Sequence, residues 1–397
     1  MLRYILASAV LAVAVLAKES PDPEVNMTVP QIINRWGYPS EIHYVLTSDD
    51  YNLEIHRIPY GKGQSPGGNR PVAFLQHGLE CSSSSWVTNL PEFSLAYLLA
   101  DAGYDVWLGN SRGNLYGMTS PSLDPKKHEF WKFSFDQMIH YDIEASIDYV
   151  LQKTNQKQVY YVGHSQGTLI MFGKLASKPS FASKIKQFHA LAPIGTVANI
   201  TGFLRYIADD LYLETEVLLE LIGRDQFLPE TGFVHTIERK YCYDPFAEEA
   251  CDNVLFSICG PNSHQLNATR TEVFLVDEPA GTSSQNILHW AQMVRSGKVQ
   301  MYDYGEKYLN EFHYEGKSTP PLYDYTKIKN VPIYLYWSDY DWLADEADVQ
   351  NYLLKALNPQ WLKQVVKLDD FNHLDFIWGE RAAGEVYKPL MQWMKAA

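Results

Sequence analysis

The sequence predicts an α/β protein: a mostly parallel sheet covered by helices, with a helical cap inserted into it. Three observations carry this. Short β-branched and aromatic runs alternate with stretches of helical spacing, which is the rhythm of a parallel sheet with crossover helices. That rhythm breaks between about Asn199 and Leu322 and resumes afterwards, as expected of an insertion. A serine also stands between two glycines where one apolar run ends and a helical pattern begins.

Taken in chain order, the first seventeen residues, MLRYILASAVLAVAVLA, read as Arg3, an apolar stretch and a small-residue end at Val15-Leu16-Ala17. That is a signal peptide pattern, too short to span a bilayer comfortably, so residues 1–17 are expected to be removed and the chain to enter the secretory route without a transmembrane anchor. Tyr44–Leu46 and Leu53–Ile58 flank the turn-rich TSDDYN and predict a hairpin. Further strands are predicted at Val72–Gln76, Asp105–Leu108, Val159–Val162, Phe188–Ala192, Ile333–Trp337 and Val365–Leu368, with helices at Phe93–Ala100 and Tyr141–Leu151 among those between them. The core thus divides into residues 18–198 and 323–397. Residues 199–322 form the insertion, and a segment of that length within a domain is expected to fold, here as a helical cap and lid.

Composition bounds the function. With 397 residues and 46% hydrophobic content the chain has ample material for a large core. A net charge of −14 argues against nucleic acid, because phosphate contacts need clustered Lys and Arg. The four cysteines are Cys81, Cys242, Cys251 and Cys259. An oxidising compartment allows Cys242–Cys251 to pair, and residue spacing leaves Cys251–Cys259 open as well. No Cys/His grouping has zinc spacing, so neither metal nor other cofactor is expected. Sequons at Asn26, Asn199 and Asn267 agree with secretion and mark glycosylation sites.

Gly163-His164-Ser165-Gln166-Gly167 fits a nucleophile elbow, in which a sharp strand-to-helix turn lifts the serine hydroxyl above the sheet. QVYYV before it reads as a strand and TLIMFGKLA after it reads as a helix, so the required context is present. A serine hydroxyl needs a positioned base. In this arrangement the partners follow in the order serine, acid, histidine. Past the insertion, IYLYWSDYDWLADEADV offers Asp339, Asp341 and Asp345 beyond a strand, and KLDDFNHLDFIWG offers His373. His373 is the sole histidine of twelve downstream of those aspartates. Residue types do not choose between Asp339 and Asp341. Oxyanion donors are expected from the backbone N–H of Gln166 and from the loop LQHGLECSSSSW, where Leu79 is the candidate. His77 and His164 are read as braces for these loops.

At this point the chain resembles the acid lipase family, which includes gastric and lysosomal acid lipases. The resemblance rests on GYPSEIHYVLTSDDYNLEIHRIPYG, LQHGL, DVWLGNSRGN, FWKFSFDQMIHYDIEASIDYVL, GHSQGT, PAGTSSQNILHW, NVPIYLYWSDYDWLAD and FNHLDFIWG, in that order over nearly the whole mature chain. It implies an α/β-hydrolase fold, Ser165 as nucleophile, Asp341 as acid, His373 as base, and the Leu79 and Gln166 amides as oxyanion hole. It also implies a Cys242–Cys251 bridge, an unpaired Cys259, and a lid that opens at a lipid surface; aromatics of the insertion, Phe227, Phe233, Phe246 and Phe256, are read either as the apolar underside of that lid or as packing of the cap core. Two departures bear on substrate preference: Glu80 stands where an apolar residue is usual after HGL, and Asp277 where the family often has His before PAGTS.

The expected activity is hydrolysis of neutral lipid esters, triglyceride or cholesteryl ester, at a lipid–water interface, by a secreted or lysosomal enzyme. The competing expectations are a carboxylesterase on sterol, retinyl, wax or shorter-chain esters, and a lipid-binding protein that has lost catalysis. An intact set of Ser165, Asp341 and His373 counts against the last.

Overall fold

The computed structural model describes residues 22–202, 205, 208, 225–227 and 259–396. The leader, Cys242, Cys251, Phe233, Phe246 and Phe256 lie outside them, and of Phe227 only the backbone is described.

Among the described residues ten strands form: β1 (Glu41–Leu46), β2 (Asn52–Ile58), β3 (Val72–Gln76), β4 (Asp105–Leu108), β5 (Val159–His164), β6 (Ile185–Leu191), β7 (Gln226–Phe227), β8 (Thr282–Ser283), β9 (Ile333–Ser338) and β10 (Leu362–Leu368). Eight of them make one sheet in the order β1-β2-β4-β3-β5-β6-β9-β10. From β4 to β10 the pairing is parallel, while β1 and β2 form an antiparallel hairpin that joins β4 antiparallel. Among the described residues β7 and β8 pair only with each other. The α/β-hydrolase expectation is met.

Strand position follows from side-chain pattern. β3, β4 and β9 are buried at every residue, as strands covered on both faces must be. β1 and β10 lie at the edges, and β10 presents Lys363, Gln364 and Lys367 to solvent, a polar dressing that discourages further pairing. That dressing also hid the first half of β10, which starts at Leu362 rather than Val365. β6 begins earlier than expected, at Ile185, and stops at Leu191 because Ala192 turns to φ +48°.

The helices used below are α1 (Leu95–Asp101), α2 (Ile143–Thr154), α3 (Gln166–Ser177), α4 (Ser284–Ser296) and α5 (Lys388–Lys395). α1 starts two residues later than its spacing predicts, since Pro91–Phe93 forms a 3₁₀ turn and Ser94 is extended. A π-helical turn, Met138–Asp142, leads into α2, which ends on Asn155 in the left-handed conformation, a common helix stop. α4 opens on Ser283, whose hydroxyl accepts from Asn286 N, and closes on Gly297.

The chain reverses direction in the sheet at β3, running next to β4 on one side and then to β5 on the other. The loops leaving β3 and β5 therefore diverge and leave a crevice at their carboxyl ends. β9 and β10 run parallel to them, so their following loops reach the same end of the sheet.

Candidate active site

Ser165 caps α3 directly after β5, at φ +52° and ψ −119°. A non-glycine residue held there is strained, and surrounding packing must enforce it. Three glycines show how. A Cβ on Gly163 would come within 2.8 Å of Gly167's carbonyl carbon and oxygen, and one on Gly167 within 2.5 Å of the Gln76 carbonyl oxygen. Strand β3 and the start of α3 thus pack backbone to backbone. A Cβ on Gly78 would stand 3.0 Å from the Ser165 Cβ and 3.5 Å from its Oγ. The loop after β3 passes directly beside the serine for this reason.

The Gln166 amide belongs to the first residue of α3, where backbone N–H groups have no intrahelical acceptor and the helix dipole favours negative charge. Its side chain is anchored separately: Oε1 accepts from Asn286 Nδ2 at 3.0 Å and from Trp290 Nε1 at 2.8 Å, both on α4. On the other wall, Leu79 follows Gly78. His77 Nδ1 is 2.7 Å from the Gly78 carbonyl oxygen, to which it donates, while Ser111 N donates to His77 Nε2 at 3.0 Å. Burial holds the His77 pKa down, at about 4, so the ring is a neutral brace.

His373 sits in the loop after β10, 4% exposed, and its Nδ1 lies 2.9 Å from both carboxylate oxygens of Asp341. Asp341, 1% exposed, is oriented in turn by Leu343 N at 2.9 Å and Ala344 N at 2.8 Å, which donate to Oδ1. Asp339, the alternative acid, instead accepts from Lys367 Nζ at 2.8 Å on the surface. His164, next to Ser165, places its ring 4.9 Å from that of His373 and its Nε2 2.9 Å from the His373 carbonyl oxygen. Burial first, and His373 second, keep His164 well below the ordinary histidine value, so it braces as a neutral ring.

A buried hydroxyl, an imidazole with one nitrogen committed to a carboxylate, and unpaired amides at a helix N-terminus are the parts needed for nucleophilic acyl transfer. Chain comparisons agree. The description "alpha/beta hydrolase fold" matches residues 71–380, and "Partial alpha/beta-hydrolase lipase region" matches residues 29–90. The chain is 51% identical over 388 residues to lipase lipl-1 of Caenorhabditis elegans, covering 96% of this chain and 95% of that one. It is 45% identical to gastric triacylglycerol lipase of Bos taurus, with 96% and 94% covered. The chain belongs to the acid lipase family. Another member of the family, human lysosomal acid lipase/cholesteryl ester hydrolase, is 43% identical with 94% and 92% covered. Among solved structures, a soluble variant of monoglyceride lipase from Saccharomyces cerevisiae superposes with a TM-score of 0.53 at 16% identity, covering 94% of this chain and 96% of that one, which speaks for the fold.

In this acid lipase family member, four residues at the site carry no signal in residue type alone. The carbonyl of Cys259 accepts from His373 N at 3.0 Å and Trp342 N at 3.5 Å, tying the loops that hold His373 and Asp341 together. Gly260 lies against the Tyr340 carbonyl, where a Cβ would come within 2.2 Å. Asn286 and Trp290, which anchor Gln166, stand inside the PAGTSSQNILHW block but have no recognisable chemistry there. Cys81 and Cys259 are both buried free thiols. Among the described residues no group of His, Cys, Asp and Glu is arranged to hold a metal, and no helix is long and apolar enough to cross a membrane.

Proposed function

We propose that the protein is a serine lipase that hydrolyses neutral lipid esters through Ser165, His373 and Asp341. The observation that carries this is the buried contact of His373 Nδ1 with both Asp341 oxygens, with the His373 ring packed 4.9 Å from that of His164, the residue before the elbow serine.

In the reaction, His373 Nε2 takes the Ser165 proton as Oγ attacks the ester carbonyl. Asp341 holds the proton on Nδ1 and stabilises the imidazolium that forms. The negative oxygen of the tetrahedral intermediate is held by the Leu79 and Gln166 amides, each contributing about 3 kcal/mol to the barrier reduction. Collapse expels the alcohol, which leaves with the proton from His373. Water deprotonated by the same imidazole then attacks the acyl-enzyme and releases the fatty acid. The similarity to gastric and lysosomal lipases supports triglyceride or cholesteryl ester as substrate, transient contact with a lipid surface, and a secreted or lysosomal destination.

Glycosylation belongs to the same reading. Asn26 is exposed, and Asn267, half-buried, accepts through its Oδ1 from the Thr269 backbone and hydroxyl. Asn199 is also exposed but donates through Nδ2 to Asp348 at 3.0 Å, so attachment there must coexist with or displace that bond.

The deciding experiment is Ser165→Ala, assayed on short-chain ester, triglyceride emulsion and cholesteryl ester. Folded protein with activity reduced by about 10⁴ or more is expected. Full activity on any of these esters refutes the assignment.

A further inference from the structure

Two carboxyl groups the mechanism does not use tie the loop after β3 to segment 278–281. Glu80 follows Leu79, at φ +58°. Its backbone carbonyl accepts from Ala280 N at 2.6 Å, and its Oε2 accepts from Gly281 N at 3.1 Å. Its other oxygen, Oε1, is buried with no hydrogen-bond partner. The bonds also run the opposite way. Glu278, on the segment that holds Ala280 and Gly281, reaches back to the loop after β3, where its Oε1 accepts from the Ser84 hydroxyl at 3.2 Å and from the Ser85 hydroxyl. Loop 79–85 and segment 278–281 are thus clasped by one glutamate from each side.

We propose that Glu80 and Glu278 are positioning residues for the Leu79 amide, forming a clasp that is closed while both carboxyls are neutral and loosens as they ionise. The proposal rests on the serine lipase reading, in which that amide is an oxyanion donor.

Burial dominates both groups. It pushes Glu80 well above the ordinary carboxyl range, against a smaller lowering by the Gly281 amide. It pushes Glu278 up to about 7, partly offset by Ser85, Cys81 and Ser84. Around the pair lie the Cys81 thiol, which feels both carboxyls, Asp277 with the Tyr116 hydroxyl 3.4 Å from its Oδ2, and the neutral His77 in the preceding turn. Among the described residues no lysine or arginine forms an ion pair with either glutamate. Taking an ionised carboxylate out of water with no cation beside it costs more than the charge-strengthened bonds from an amide or hydroxyls return. The clasp therefore holds in acid and is lost as pH rises through the raised value of Glu278. Glutamine in place of either glutamate stays neutral and keeps an acceptor oxygen.

The test compares the wild type with Glu80→Gln, Glu278→Gln and the double variant on a soluble short-chain ester, from about pH 5 to about pH 8. Wild-type kcat, relative to the double variant, is expected to fall roughly tenfold across that range with little change in KM, as partial loss of one oxyanion donor predicts. Hydrogen exchange at the Ala280 and Gly281 amides, corrected for its intrinsic pH dependence, is read alongside. Their protection is expected to fall with pH in the wild type and to hold in the double variant. Hydrolysis with identical pH profiles, or protection that does not respond to pH, overturns the clasp and leaves the lipase reading standing. PH-dependent protection in a protein that hydrolyses no ester removes the lipase reading and the positioning role with it, leaving only a structural latch.

Discussion

At the residue scale the decisive choice is between two aspartates two positions apart. On a strand end, residues 339 and 341 differ little in sequence context, yet one is fully inside and the other is in water. Asp341 meets His373 Nδ1 with both oxygens at 2.9 Å, whereas Asp339 pairs with Lys367. The latter is a surface pair of the sort worth less than about 1 kcal/mol. Asp341→Asn should therefore reduce kcat/KM by on the order of 10⁴, through loss of the imidazole's orientation and tautomer. Asp339→Asn should leave it near the wild-type value. Ester hydrolysis by the two purified variants reads this directly, and equal loss in both refutes the division of roles. The serine and histidine were legible in the sequence because order along the chain and the elbow pattern isolate them. The acid was legible from residues only as a pair of candidates, since what separates them is burial.

At the element scale the elbow depends on β3 and α3 approaching to backbone contact. Gly167 is the point of closest approach, with Gln76 and His77 carbonyl oxygens 2.5 and 2.8 Å from the place a Cβ would occupy. Neither is a flexible side-chain end, so the strand or the helix must shift. Gly167→Ala should destabilise the fold by about 1–3 kcal/mol, as overpacking does, and lower activity further by displacing the Gln166 amide. Urea unfolding gives the first quantity and kcat the second; an unchanged midpoint is inconsistent with this packing. The motif exposes these glycines to a sequence reader. It does not expose the second anchor of Gln166, the Asn286 and Trp290 donors on α4, which arrive from 120 and 124 residues away.

At the scale of the whole molecule, buried carboxyls set how stability follows pH. Asp375 is fully buried, with its Oδ2 accepting from Asn372 N at 2.7 Å, and burial raises it from 3.8 to about 7. Glu144 goes the other way: although desolvation alone would raise it, Lys174 and Lys178 bring it down to about 2. A raised acid favours the folded state fully below its unfolded value, and that contribution is lost as pH climbs to the folded value. A lowered acid contributes above its unfolded value and is lost as pH falls through the folded one. Asp375 and Glu278 therefore erode stability between about pH 4 and about pH 7, and Glu144 erodes it below about pH 4. Buried neutral histidines such as His77, held at about 4, oppose this by taking stability away as pH falls below about 6.5, so the effect of the carboxyls is read by difference. The melting temperature of Asp375→Asn relative to the wild type should rise by a few degrees between about pH 4 and about pH 8, as measured by differential scanning calorimetry, and a difference that does not change with pH contradicts the account.

The sequence by itself determined the sheet's strands and their parallel character, and it singled out Ser165 and His373 as the proposed nucleophile and base. Those properties are written in local periodicity and in a motif whose chemistry is confined to a few adjacent residues. Only the tertiary structure decided which aspartate is dry, which distant amide and indole hold Gln166, and that Glu80 and Glu278 bind loop 79–85 to segment 278–281. Each of these depends on desolvation or on contact between segments far apart in the chain. Neither is a property of a residue type, because the same carboxyl that is an ordinary charge in water becomes a reluctant one when folding removes the water around it.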